Sequence, residues 1–277
     1  MNQGFIIASK KKVVPIYLDK NAESYDGLSL VAETMSEDIS CIIGKKPQII
    51  TNSIKEPGIV IGVVHDCAMI DEWIVKGKLD TSQLTEKKEV FLVKMIEGNL
   101  VIAGSEKIST IYGAFELLED IGISPFIYWA DVYPKKKDEI ILTPAQCNKV
   151  SKQPSVKYRG FFMNDEWPSL GNFVAQAFGD FNAKFYRKVF ELLLRLKGNY
   201  FWPAMWSASF FLDGGDGDEM GNVKLANKYG IYIGTSHHEP MIRASEEWDK
   251  VKTDDNLVGY GKDWNYHTNK NGLHKYW

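Results

Sequence analysis

The chain has 277 residues, a formal net charge of −3, 44% apolar and 25% charged residues, and a pI near 6.0. That length buries a substantial core and suits two structural units rather than one. The overall charge offers no basic stripe for a polyanion, which argues against nucleic acid as a partner. No segment approaches the roughly 18 uninterrupted apolar residues of a membrane-spanning helix, so no membrane role is expected. Cys41, Cys67 and Cys147 are odd in number, widely spaced and without a CxxC pair. They predict three free or buried thiols rather than a disulfide framework or a zinc knuckle.

The opening GFIIASKKKVVPIYL places its apolar stretch before its lysines and is too short for a signal peptide. The chain is therefore cytoplasmic, or extracellular or periplasmic if a leader has been removed. Val13 to Leu18 reads as a strand. Leu28 to Ile43, following Asp26, has helical spacing, and Gly58 to Val64 is a second strand bounded by Pro57. Glu89 to Ile96 and Leu100 to Ala103 flank Glu97-Gly98-Asn99 and predict a β-hairpin. Ser109 to Ile121 is an amphipathic helix stopped by Gly122.

Between Asp131 and Pro154 the chain becomes a lysine-rich turn, a short strand at Glu139 to Leu142 and a polar stretch, the best place for a domain boundary. Tyr158 to Met163 reads as a buried strand. Ala183 to Lys197 is the clearest helix: Phe185, Val189, Leu192, Leu193 and Leu196 share a face, Asn182 caps its start and Gly198-Asn199 ends it. Tyr200 to Trp202 opens a further strand. A Gly- and Asp-rich loop over Asp213 to Gly221 reads as a mobile surface insertion, followed by a helix over Asn222 to Tyr229. Ile231 to Gly234 is a third strand, Pro240 to Val251 a third helix, and Asn271 to Trp277 the start of a fourth. This β-α-β-α-β-α order predicts a parallel sheet with its strand C-termini on one side.

Chemistry gathers where these strands stop. Asn164-Asp165-Glu166-Trp167 follows the first of them, and Asp165 or Glu166 could bind ligand hydroxyls or act as acid or base, the alternative being a solvated loop with a helix cap. Trp202 and Trp206 bracket a proline. Indole faces stack on the C–H surfaces of sugars and indole N–H groups donate to hydroxyls; the alternative is that both rings are core, evenly balanced for Trp202, while Trp206 is the better candidate for a ligand contact. His237-His238-Glu239 closes the third strand. Adjacent histidines diverge on extended backbone and lack the HExxH spacing, so no metal is expected, and hydrogen bonding to a polar or anionic ligand is the better reading. Arg243 lies one turn into a helix and is more simply a partner of Glu246 or Glu247. Asp213, Asp216 and Asp218 do not fit a calcium loop, and no Gly-rich phosphate cradle occurs, so no cofactor is expected.

RGFFMNDEWP from Arg159, FYRKVFELLLRLKGNYFWPAMW from Phe185 and ANKYGIYIGTSHHEPMIRASEEW from Ala226 closely resemble glycoside hydrolase family 115, the xylan α-1,2-glucuronidases. GSEKISTIYGAFELLEDIGISPFIYWADV from Gly104 resembles the end of the non-catalytic domain that precedes the barrel in this family, in the family 67 glucuronidases and, more distantly, in the hexosaminidases. The resemblance implies an N-terminal α/β sandwich-like domain over residues 1–152, then the first β/α units of a (β/α)8 (TIM) barrel over residues 153–277. Such a barrel takes about 250 residues, so a truncated barrel is expected.

The implied activity is removal of glucuronic acid or its 4-O-methyl ether from xylan by an inverting acid/base mechanism, with glucuronoxylan or aldouronic oligosaccharides as partners and a homodimer as an option for the full-length protein. The main acid and base are expected beyond Trp277. Carried onto this sequence, the resemblance makes Asp165 the local catalytic candidate, with Asn164, Glu166, Trp167, Trp202, Trp206, His237, His238 and Glu239 as substrate-binding candidates. Trp129 and Asp131 are weaker ones. A carbohydrate-binding module without hydrolysis and a different α/β glycosidase are the competing readings.

Overall fold

The computed structural model describes residues 4–51, 53–164, 167–205, 208–237, 247–249 and 260–277. It is a mixed α/β structure with two compact units. One comprises Met1–Arg159 with Phe190–Asn199 and Lys228–Ile231; the other comprises Gly160–Val189, Tyr200–Asn227 and Tyr232–Trp277.

The first unit contains β1 (Phe5–Ser9), β2 (Ile16–Tyr17), α1 (Tyr25–Ile43), β3 (Ile49–Ile50), β4 (Ile59–Val63), α2 (Ala68–Val75), β5 (Phe91–Ile96), β6 (Asn99–Gly104), α3 (Lys107–Ile121), β7 (Glu139–Leu142) and β8 (Lys149–Val150). Six strands form one sheet in the order β3-β2-β4-β6-β5-β8, while β1 and β7 pair antiparallel by themselves. Within the larger sheet β2 runs parallel to β3 and β4, and β4 to β6. The predicted hairpin is present: β5 and β6 pair antiparallel, and Glu97 and Gly98 both take positive φ, 50° and 81°, as a two-residue hairpin turn requires.

Every residue of β4 and of β6 is buried, as befits strands covered on both faces. One face packs against α3, whose Gly113 lies so close that an added Cβ would meet Ile102 at 2.6 Å and Phe91 at 2.9 Å. Opposite, Tyr17, Val60, Leu92, Val101 and Ala103 join Cys67, Ile70 and Trp73 in a second apolar cluster under α2. Burial there pushes the Cys67 thiol up to about 11. All three cysteines are free. Gly122 stops α3 in the left-handed region, at φ 103°, as the sequence predicts.

The second unit holds β9 (Gly160–Phe162), α4 (Ser169–Phe178), β10 (Tyr200–Trp202), β11 (Tyr232–Ile233) and α7 (Lys270–Tyr276). Two further helices, α5 (Ala183–Arg195) and α6 (Gly221–Tyr229), supply residues to both units. β9, β10 and β11 form the expected parallel sheet, with β10 in the middle. Asn182 caps α5 through its Oδ1, which accepts from the N–H groups of Lys184 at 3.0 Å and Phe185 at 3.3 Å.

Three expectations change. The 158–163 strand is not buried: in β9 only Phe161 is half-buried and its neighbours are exposed, because β9 is a sheet edge with a single hydrogen-bonded neighbour. Leu196 is exposed, while Tyr186, Phe190 and Leu194 of α5 are fully buried. The second half of α5 is enclosed on more than one side: Thr34 donates to Glu191 at 3.1 Å and Arg195 pairs with Asp38 at 2.5 Å, the two charged side chains being 6% and 9% exposed. The 213–221 loop is a hydrogen-bonded turn rather than a loose insertion. The Ser209 N–H donates to Asp213 at 2.6 Å, and Gly214 and Glu219 bond across it at 3.0 Å. Pro168 directly precedes α4, after a cis Trp167–Pro168 peptide.

A polar clasp in the first unit joins segments far apart in sequence. Glu89 pairs with the Arg159 guanidinium and accepts from Asn199 Nδ2 at 3.0 Å. The Tyr112 hydroxyl donates to the Gly198 carbonyl at 3.0 Å.

Candidate functional site

Alternation along the three parallel strands sorts their side chains onto two faces. Phe201 is fully buried and packs edge-on against Tyr186 of α5, with ring centroids 5.9 Å apart. Phe161 joins it from the neighbouring strand at 5.4 Å. The opposite face carries Phe162, Trp202 and Tyr232, all exposed, together with Tyr200.

Trp202 is held firmly on that face. Its indole N–H donates to the Tyr200 hydroxyl at 3.0 Å, and its ring meets Phe162 edge-on at 5.7 Å. Gly234, just past β11, lets both rings approach: an added Cβ would lie 1.9 Å from the Tyr200 oxygen and 2.5 Å from the Trp202 nitrogen. With the indole donor already engaged, Trp202 presents an apolar ring face to a ligand rather than a hydrogen bond.

The C-terminal ends of the strands are knitted together by backbone bonds. The Met163 N–H donates to the Trp202 carbonyl at 2.9 Å, and the Gly234 N–H to the Phe201 carbonyl at 3.0 Å. Beyond these bonds lie Asn164, the Pro203-Ala204-Met205 turn and the Thr235-Ser236-His237 turn. Ser236 reaches Met205 Sδ at 3.0 Å, joining the last two. Asn164 Oδ1 is buried with no hydrogen-bond partner among the described residues, an arrangement that costs about 1–3 kcal/mol unless a donor reaches it.

Of the residues singled out from sequence, the structure thus sets Asn164, Trp202 and His237 at the C-terminal ends of three adjacent parallel strands, with His237 exposed. Trp167 is 57% exposed and packed over α4, where an added Cβ on Gly171 would meet its ring at 2.3 Å. Asp165, Glu166, Trp206, His238, Glu239 and Arg243 lie outside the described residues. Trp129, in the first unit, stacks edge-on with Tyr128 at 5.2 Å. Phe162, Tyr200, Tyr232 and Gly234 escaped the sequence reading. The i, i+2 pairing of Tyr200 with Trp202 was the signal that could have found the shared face.

Among the described residues no group of three or more His, Cys, Asp or Glu side chains is placed to hold a metal ion. None of their helices is long and apolar enough to cross a membrane.

This is an α/β scaffold that gathers aromatic and polar groups where parallel strands end. Residues 151–277 match the glycosyl hydrolase family 115 model. BtGH115A, a family GH115 4-O-methyl-alpha-glucuronidase with specificity for decorated arabinogalactans, is 31% identical, with a TM-score of 0.78 over 99% of this chain and 34% of that one. The chain thus belongs to glycoside hydrolase family 115, and it spans about a third of the length of that relative. A mutant beta-hexosaminidase from Streptomyces plicatus is 7% identical with a TM-score of 0.47, over 84% of this chain and 42% of that one. A chitobiase from Flavobacterium johnsoniae is 13% identical with a TM-score of 0.47, over 86% and 32%. No curated protein matches the chain.

Proposed function

We propose that the chain is the N-terminal portion of a glycoside hydrolase that releases glucuronic acid or 4-O-methyl-glucuronic acid α-1,2-linked to xylan. In this reading residues 1–152 are a non-catalytic sandwich-like α/β domain and residues 153–277 are the opening β/α units of a (β/α)8 barrel. The observation that carries it is the three-stranded parallel sheet within the family-matched segment. One face is covered by α5, the other displays Trp202, Phe162 and Tyr232, and the polar candidates stand at the strand C-termini, where barrel enzymes gather their chemistry.

Trp202 offers a stacking face to the sugar and Asn164 an acceptor for one of its hydroxyls. Asp165 is the local catalytic candidate, and Glu166, Trp206, His237, His238 and Glu239 are the candidates for binding the sugar. An inverting mechanism needs an acid and a base about 6.5–9.5 Å apart, and the later strands of the barrel supply the main pair.

The test uses the 277-residue chain and a version extended to the full barrel, each incubated with glucuronoxylan. Released uronic acid is followed by proton NMR, which also reports the anomer first formed. The extended protein releases β-configured glucuronate or its methyl ether and the short chain none. Release by the short chain, or α-configured product, overturns the reading. The relative's specificity for decorated arabinogalactans makes those polymers the second substrate to assay, and faster release from them would move the assignment away from xylan.

A further inference from the structure

The net charge of −3 averages over a surface on which the first unit concentrates its lysines. Lys10, Lys11 and Lys12 occupy the turn after β1, Lys45 and Lys46 follow the end of α1, and Lys135, Lys136 and Lys137 precede β7. All eight are exposed. The fold brings the three runs together: Lys45 Nζ donates to the Lys10 carbonyl, Lys10 pairs with Asp138 at 2.9 Å, and the Lys137 N–H donates to the Ile42 carbonyl at 3.1 Å. Lys137 Nζ donates to the Ile121 carbonyl at 2.8 Å.

Carboxylates are present but fewer. Asp138, Glu37 and Glu56 pair with Lys10, Lys46 and Lys12, and Glu139 opposes Ser9 in the β1–β7 ladder. Against eight lysines these leave an excess of positive charge. Among the described residues Lys11, Lys135 and Lys136 lie within ion-pair distance of no carboxylate. Beside them Tyr133 is 69% exposed, its hydroxyl turned to Asp131 at 3.2 Å, so its ring faces are available for stacking.

We infer that this lysine surface binds an acidic polysaccharide, holding a uronate-bearing chain at a place other than the β9–β11 sheet. The identity of the polymer rests on the glucuronidase reading; the surface itself does not. Lysines interleaved with carboxylates suit widely spaced uronates better than DNA, which carries one charge per about 1.7 Å of axis. An exposed tyrosine adds a face for pyranose C–H groups. The field is a surface one, so salt screens it over a Debye length of about 10 Å at 0.1 M.

The experiment is affinity electrophoresis of the 277-residue chain through gels containing polygalacturonate, glucuronoxylan or neutral arabinoxylan, at low and at high salt. Polygalacturonate has no α-1,2-glucuronate, so its retention does not depend on the proposed hydrolysis. We expect retention by both acidic polymers, none by arabinoxylan, and loss of retention at 0.5 M salt. The K11E/K135E/K136E variant should bind about tenfold more weakly with an unchanged circular dichroism spectrum. Retention of the triple variant within twofold of the parent overturns the proposal. So does equal retention by arabinoxylan, or retention of duplex DNA as strong as that of polygalacturonate at the same salt. If the triple variant loses its fold, the single variants K11E, K135E and K136E are measured instead, and a summed effect below twofold has the same meaning.

Discussion

The two sheets follow opposite rules. The six-stranded sheet of the first unit buries both faces, down to every residue of β4 and β6. The three-stranded sheet of the second buries Phe201 on one face and leaves Trp202, Phe162 and Tyr232 exposed on the other. The first is built as a support, its side chains chosen for volume. In the second, aromatic groups are held in fixed orientations without being covered, a state that costs stability and is useful where something is to be bound.

This contrast is most sharply broken by uncoupling the buried ion pair. Asp38→Ala should cost about 3–5 kcal/mol, because it strands Arg195, 6% exposed, against the Phe115 ring; the urea midpoint is the check. A loss below 1 kcal/mol would mean that the first unit is less tightly closed than described. Crowding the open sheet comes next. Gly234→Ala drives a methyl group into Tyr200 and Trp202 and should cost about 1–3 kcal/mol, with a red-shifted tryptophan emission as the indole moves toward solvent.

A smaller effect, confined to the first unit, depends on pH. Burial pushes the Asp66 carboxyl up, but hydrogen bonds from Ser24 Oγ and from the N–H groups of Ser24 and Glu23 outweigh it and leave the group below its ordinary value. Glu116 is lowered in the same way, with burial opposed by the Lys149 and Lys197 ammonium groups. For both, the folded value lies below the unfolded one. Their contribution is therefore complete above the unfolded pKa, near 4, and is lost as pH falls through the folded value. Asp66→Asn should lower stability at pH 7 by about 1 kcal/mol and flatten the decline on acidification. The smallest change in stability should follow Trp202→Ala, about 1 kcal/mol or less, yet this variant should weaken binding of aldouronic oligosaccharides about tenfold by calorimetry. A large stability loss with unchanged binding would make Trp202 a core residue.

The elements legible in the sequence were those whose signals are local. Asn182 and the 97–98 turn carry their own capping and hairpin chemistry, and the α1, α3 and α5 patterns repeat within one helix. The short strands β3 and β8 and the helices α2 and α4 escaped because two-residue strands have no period and both helices are brief. Leu196 was misjudged because the buried face of α5 is decided by its neighbours, not by its own spacing. At the candidate site, the positions of Asn164, Trp202 and His237 follow from where strands stop, which the sequence marks. The engagement of the Trp202 N–H by Tyr200 and the room left by Gly234 depend on strand pairing, which it does not.

The Glu89 clasp bears on how the chain is made. Glu89 and Asn199 are 110 positions apart, Glu89 and Arg159 70 apart, and Asp38 and Arg195 157 apart. At roughly 5–20 residues per second, a ribosome that has released the first unit's sheet still needs several seconds to deliver its closing partners. During that interval Asp38 lacks its counter-ion Arg195 and Glu89 lacks its Asn199 donor, and a nascent chain cut at residue 159 would never acquire either. The first unit is thus discontinuous in synthesis as well as in sequence: its last parts are made within the stretch that also makes β9, β10 and β11.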